Sequence, residues 1–395
     1  MGSVVGGGAA LSAGQLLQLI RDGSSLTRAQ LQARTGMSRT TLTERMDQLS
    51  SAGLISETGR APRTGGRPAK IVQFNDADRV ILTLDLGHTH AHVSAMSLRA
   101  ERLAHRGVTL DVTASPEVVL GTLLAAGDAV LAELPKAQVV GAGFGVPAPV
   151  DVVGSTDWRT SPMRDWSDET IHTTVQRRWP VPVVLENDAR ALAIGEASLD
   201  PADESGANIL MAVKLASGIG AGIVVDGHPL RGATGAAGDI GHIRLRASGP
   251  RCRCGRRGCL AAYASGRAVL RQLRHRRLAG LQDVVALLDA GDEEVTAVVT
   301  EAASAVGVAV GGALQGVNPK VLVLGGVLGA HPLVARVITS KVRMVALPRV
   351  LERTQIRRSV LGEDAGSVGL AHLLLRHLYS PDAIDRLLEP ARASG

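Results

Sequence analysis

His242 precedes Cys252 by ten residues, and Cys252, Cys254 and Cys259 lie within eight residues of one another. Three thiolates and one imidazole complete a closed tetrahedral zinc shell with no position left for water, so zinc held there is structural. An odd number of cysteines this close together does not make a disulfide framework. Arg251, Arg253, Arg256 and Arg257 sit beside the thiols and offset their charge. The plainer alternative is three free cysteines and a core histidine; four soft ligands at loop spacing favour the metal.

Glu186-Asn187-Asp188 follows an apolar run. A carboxylate and an amide at a strand end can hold a sugar hydroxyl and take its proton. The same residues are good helix caps, and local spacing does not separate the two readings. Two glycine turns, DLGHT at Asp85–Thr89 and LASGIGAG at Leu215–Gly222, follow further apolar runs. Their backbone amides could cradle a phosphate, although each alone also fits a tight turn.

The third set is basic. Residues 1–75 hold nine Lys/Arg against four Asp/Glu, whereas the other 320 residues are almost balanced. A basic module on a near-neutral body points to a polyanion-binding head. Within it, Thr27 and Gln30 have capping-box spacing, and Gly36 ends that helix. Ser38 caps a further helix on which Leu42, Met46 and Leu49 form one apolar stripe. With a preceding helix near Gly14–Arg21 and short strands at Leu54–Ile55 and Ile71–Phe74, this is the winged helix-turn-helix pattern. The second helix of such a pair enters the major groove, and its first residues reach base edges. Those are Ser38, Arg39, Thr40 and Thr41, with Thr43, Glu44 and Arg45 next. Arg39 can pair bidentately with guanine. Arg60, Arg63, Arg67 and Lys70 on the wing can meet phosphates or a narrow minor groove. The alternative is a helical module used only for dimerisation. Charge and pattern together favour double-stranded DNA.

Beyond Asp78, strands expected at 80–87, 91–98, 103–110, 139–143, 183–186, 209–214, 222–226 and 321–325 alternate with helices, which implies an α/β body. A helix starts at Ser115-Pro116-Glu117. The run Arg267–Arg277 reads as a solvated helix face. The chain has 395 residues, of which 45% are hydrophobic, too many for a disordered chain and enough for two or three domains. No uninterrupted apolar run of about 18 residues occurs, and the first residues lack the basic start and apolar core of a secretory signal. The expectation is a cytoplasmic protein with no membrane partner. Only seven residues are aromatic, which argues against a base-stacking single-strand binder.

These motifs, in this order, resemble the ROK family (repressors, open reading frames, kinases) over nearly the whole chain, and with the basic head they resemble its transcriptional regulators. The most specific stretch is GAAGDIGHIRL followed by CRCGRRGCL. The resemblance implies a winged helix-turn-helix at 1–76 followed by a two-lobed actin-like, sugar-kinase-type body with a structural zinc loop. The first α/β lobe is 77–187, with the C-terminal helix 378–395 packing back on it, and the second is 188–377. It implies effector contacts from Asn187, Asp188, Asp239 and His242, whose imidazole would serve both zinc and sugar. Asp188 matches the catalytic base of the kinase members. Asp85, Gly87 and Thr89 match the first phosphate loop, and Ser217 and Gly218 the second. The chain departs from the family pattern at His88 and His90 in the first loop. At Asp239 and Ala261 the family has glutamate. Ala261 removes a carboxylate that grips sugar hydroxyls, a loss of about 1–3 kcal/mol. The expectation is therefore a non-enzymatic regulator, binding an inverted-repeat operator as a homodimer or homotetramer. A sugar or sugar derivative bound between the lobes would shift the spacing of the paired heads. The rival readings are an ATP-dependent sugar kinase with an appended head, and a regulator that has lost its small ligand.

Overall fold

A computed structural model describes residues 11–22, 26–58, 69–151, 153, 155–158, 163, 165–200 and 208–389. The chain divides into two units, one of residues up to Asp78 together with those from Leu375 onward, the other Arg79–Leu374.

In the first unit, helix α1 (Ala13–Asp22) is followed by strand β1 (Leu26–Thr27), helices α2 (Arg28–Thr35) and α3 (Arg39–Ser51), and strands β2 (Ile55–Thr58) and β3 (Ile71–Phe74). Thr27 and Gln30 form the reciprocal capping box, and Gly36 closes α2. Ser38 caps α3 by accepting from the Thr41 amide. Leu42, Met46 and Leu49 are buried, as their spacing requires. Leu54, expected in a strand, precedes β2. The strand order β1-β3-β2 adds a two-residue strand that the sequence reading lacked.

The C-terminal helix Pro381–Leu388 packs against α1 in this unit, not on the first lobe as expected. The Gly14 amide donates to Asp385 Oδ1 at 2.8 Å. A Cβ on Gly14 would lie 2.1 Å from the Pro381 carbonyl oxygen, so only glycine permits this approach. Arg21 lies over both the Phe74 and Tyr379 rings, which meet edge to face at 5.4 Å. Ile384 is fully buried. The physical reason for the correction is that an amphipathic helix reveals its apolar face but not which partner covers it.

The second unit holds two five-stranded sheets. In chain order come β4 (Arg79–Leu86), β5 (His90–Ser97), β6 (Arg102–Thr109), α4 (Pro116–Ala132), β7 (Gln138–Val146), α5 (Asp168–Arg178), β8 (Val183–Asn187), α6 (Asp188–Ala197), β9 (Ile209–Leu215), β10 (Ile219–Val225) and β11 (His228–Pro229). They are followed by α7 (Leu260–Ala264), α8 (Gly266–Gln272), α9 (Leu281–Asp289), α10 (Glu293–Val317), β12 (Val321–Gly325) and β13 (Gln355–Arg358). The sheets run β6-β5-β4-β7-β8 and β11-β10-β9-β12-β13. Each is an antiparallel three-strand meander extended by two parallel strands, so the two lobes share one topology. Leu82, Leu84, Phe144 and Val146 centre the first core. Met211, Val213, Leu322 and Leu324 centre the second, covered by α10 and the helix Pro332–Val345.

Helix α10 has 25 residues and is apolar enough to cross a membrane by length and composition. Its Val295, Val299, Val306, Val310 and Leu314 are instead buried in the second core.

Candidate ligand cleft and metal loop

The carboxyl ends of β4, β8, β9 and β12 open on one cavity of about 840 Å³ in the second unit, where ligands of open α/β sheets are expected. Asp85, Asn187, Asp188, Asp239 and His242 line it, with His88, Lys214 and Ala261. All four residues expected at the effector are therefore gathered at one site.

Their roles within it differ. Asn187 caps α6: its Oδ1 accepts from the Ala189 and Arg190 amides, and its Nδ2 donates to the Ala148 carbonyl at 3.1 Å. Its polar atoms thus anchor backbone. Asp188 accepts from the Ala189 amide at 2.8 Å through Oδ1, and its Oδ2 lies 3.0 Å from Lys214 Nζ. Burial pushes the Asp188 carboxyl above the usual carboxylate range, against the pull of Lys214. Burial opposes the Lys214 charge too, yet Asp188 and Asp85 outweigh it and hold its pKa above that of an ordinary lysine. Lys214 was not singled out from the sequence; the signal was a charge inside the apolar strand ILMAVKL.

A buried ion network roots this corner. Glu186 and Arg190 are both buried and paired at 2.7 Å, and Arg231 reaches the other Glu186 oxygen at 2.6 Å. Arg190 also donates to the Gly235 and Val150 carbonyls. This ties the end of β8 to the loop that carries Asp239 and His242. Gly238 in that loop has φ +89°, and a Cβ there would lie 2.0 Å from the Ala221 carbonyl oxygen. The Ala221 amide donates to the Gly238 carbonyl at 2.8 Å.

In the first glycine turn, burial is the main force lowering the His88 pKa to about 3, reinforced by Arg267, Arg253 and Lys214. A neutral imidazole thus sits in the first glycine turn, on the cleft wall. Arg267 turns to the cleft, and its lowered pKa of about 10 follows first from burial, then from Arg253. Beyond Arg267, the run to Arg277 is the solvated face expected, with Arg271, Gln272, Arg274, His275 and Arg277 exposed; Arg271 donates to Ala262 O, and Arg276 pairs with Asp292 and Glu294.

Next to the cleft, one ligand atom from each of His242, Cys252, Cys254 and Cys259 falls within 4.8 Å of the others. His242 Nδ1 is 3.4 Å from Cys252 Sγ, and Cys254 Sγ is 3.7 Å from Cys259 Sγ. Tetrahedral zinc, with Zn–S of about 2.3 Å and Zn–N of about 2.0 Å, sets these separations near ~3.5 and ~3.8 Å. Burial, with Cys254 and Cys252 close by, pushes the Cys259 thiol up to about 12. The donor set fits zinc. The other imidazole nitrogen, Nε2, lies 3.9 Å from Asp239 Oδ1 on the cleft side.

In the first unit, Ser38, Arg39, Thr40 and Thr43 are exposed on the first turns of α3. Ser38 and Thr41 share their hydroxyls at 2.9 Å within the cap, and Arg45 donates along the helix to Gln48. Lys70 is exposed, 3.8 Å from Glu57. Arg60, Arg63 and Arg67 lie outside the described residues.

Residues 81–377 match the ROK family, and residues 13–56 match the winged helix-turn-helix DNA-binding family. The chain is 27% identical to the xylose repressor of Bacillus spizizenii over 366 residues, covering 92% of this chain and 94% of that one. It is 30% identical to the glucokinase of Halalkalibacterium halodurans over 59% of this chain and 76% of the other. A ROK family transcriptional regulator, described as a homolog of the E. coli MLC protein, has the same fold with a TM-score of 0.75 at 24% identity, covering 96% and 98% of the two chains. A ROK family glucokinase from Streptomyces griseus, in complex with glucose and AMPPNP, gives 0.64 at 26% identity, with 74% and 98% covered.

Proposed function

The chain belongs to the ROK family, and on that premise we propose that it is a sequence-specific DNA-binding repressor of carbohydrate-related genes, released or tightened on its operator by a sugar or sugar derivative. One observation carries this reading: a single chain joins a winged helix-turn-helix match at 13–56 to a ROK match at 81–377, and a xylose repressor aligns with it over 92% of its length. Arg39, Thr40 and Thr43, exposed at the start of α3, read base edges, with Ser38, Thr41 and Arg45 ordering that end of the helix. Lys70, with Arg63 and Arg67, meets phosphates. A homodimer, or a tetramer built from it, matches an inverted-repeat operator.

In the body, Asp188, Asp239 and His242 present acceptors and a ring nitrogen to sugar hydroxyls, and Asn187 holds the start of α6 in place. His242, Cys252, Cys254 and Cys259 hold zinc, which supplies structural rigidity to the loop bearing His242. The effector acts only by binding the two operator-affinity states unequally, and the coupling is reciprocal. The protein works in the cytoplasm, where operator and sugar meet.

Sequencing of genomic fragments retained at about 150 mM salt tests the reading, since non-specific phosphate binding is weakened there. A few enriched sites sharing an inverted repeat, with affinity changed by one sugar, support it. Retention without sequence preference overturns it. The second reading, a sugar kinase, draws on Asp188 facing the cleft and on the glucokinase relatives. His88 crowding the first phosphate loop, Ala261 in place of a gripping carboxylate and Lys214 pairing the base all weigh against it. Asp188-dependent ATP turnover with a hexose would restore it.

A further inference from the structure

Two carboxylates from opposite lobes, Asp85 at the end of β4 and Asp188 at the start of α6, face the one cleft. Asp85 is buried, and its Oδ1 has no hydrogen-bond partner among the described residues. Paired carboxylates opening on a phosphate-loop cleft are ligands for a hard divalent cation bridging to a phosphate. Here a positive charge in the same cavity comes from the chain itself. Lys214, the penultimate residue of β9, reaches Asp188 at 3.0 Å and is mostly buried. A lysine at this place ion-pairs one of the two carboxylates that a metal would need. An ammonium has three donors and no acceptor, so Asp188 keeps one role, that of a fixed hydrogen-bond acceptor.

We propose that Lys214, paired to Asp188 in the cavity that Asp85 also lines, is the resident cation of the cleft and takes the place of a divalent metal that the two aspartates would otherwise share, so that the cleft admits an uncharged polyhydroxylated ligand and excludes a metal–nucleotide. This rests on the reading of the cleft as an effector site, but its test does not.

The experiment is Mn²⁺ titration of the full zinc-loaded chain, read as loss of the free Mn²⁺ signal in electron paramagnetic resonance. The wild type takes up no Mn²⁺ at Asp85 at millimolar concentration. Lys214→Met gains one site, at least tenfold tighter than any in the wild type, and Lys214→Met/Asp85→Asn loses it again. The same pattern holds for Mg²⁺-dependent protection by ATP in a thermal melt. A wild-type Mn²⁺ site abolished by Asp85→Asn overturns the proposal, as does a folded Lys214→Met with no new site. If Lys214→Met does not fold, Lys214→Gln, which keeps a donor toward Asp188 but no charge, decides by the same criteria. Sugar response is measured separately. A chain with the expected Mn²⁺ pattern that answers to no sugar fails the effector reading alone, and one that answers to a sugar yet binds Mn²⁺ at Asp85 fails only this inference.

Discussion

Arg190→Leu tests whether the Glu186 network holds the cleft together. Arg190 and Glu186 are 1% and 0% exposed, so neither is solvated by water. The substitution removes a 2.7 Å charged hydrogen bond to Glu186 and strips the donors from the Gly235 and Val150 carbonyls. Breaking one side of a buried ion pair costs about 3–5 kcal/mol. Arg231 stays on Glu186 at 2.6 Å, and the Asn187 amide still donates at 2.8 Å, which places the loss near ~3 kcal/mol, the lower end of that range. Trp158, Trp166 and Trp179 are all buried in the first core, so their fluorescence in a urea titration reports this lobe. The double variant Arg190→Leu/Glu186→Leu should be more stable than Arg190→Leu alone, because a fully buried carboxylate left with only Arg231 and one backbone amide is gone and the partly exposed Arg231 can turn to water. Sugar affinity should fall in both, since α6 and the Gly235–His242 loop lose their tie. A single variant within about 1 kcal/mol of wild type would refute the argument.

Arg39→Ala should weaken operator binding by about 1–3 kcal/mol while leaving binding to random DNA nearly unchanged; equal losses on both in a competition assay would move base reading away from the start of α3. Cys254→Ser, or chelation of the wild type, should release one zinc per chain and abolish the sugar response while the operator is still bound; metal analysis beside an operator assay checks this, and an unchanged response would separate zinc from effector binding. His88 is neutral in the folded chain down to about pH 3, whereas an unfolded histidine protonates near 6.5. The unfolded state therefore binds the extra proton, and this group removes about 1 kcal/mol of stability as pH falls from 7 to 5.5. His88→Asn should flatten that slope in urea titrations, and parallel slopes for the two proteins would show that His88 is solvated and free to protonate.

What could be read in advance was set by short-range rules. The Thr27–Gln30 box, the Ser38 cap and the Leu42, Met46, Leu49 stripe each depend on residues within a few positions, and each has the expected geometry. The gathering of Asn187, Asp188, Asp239 and His242 was legible only through family resemblance, because no local rule brings the end of β8 to a loop some fifty residues later. The two-residue strand β1 and the late strand β13 exist only through pairing with β3 and β12, so no periodicity announces them. The docking of Pro381–Leu388 on α1 likewise depends on a partner far away in the sequence.

Lys214 is a different case, because its signal was present and local. An ammonium in the run ILMAVKL breaks the apolar pattern of a strand whose other residues are nearly all buried. Burying that charge without a partner would cost several kcal/mol, so the sequence already required an acid facing it. Two of the acids set aside for other roles, Asp85 and Asp188, are the ones whose charges act on it. A charge that interrupts an apolar strand next to a glycine turn thus points to an ion pair inside the ligand cleft. The chemistry of the cleft then follows from the pair, because Asp188 has one oxygen committed to the Lys214 ammonium at 3.0 Å and the other to the Ala189 amide, and meets a ligand as a fixed acceptor.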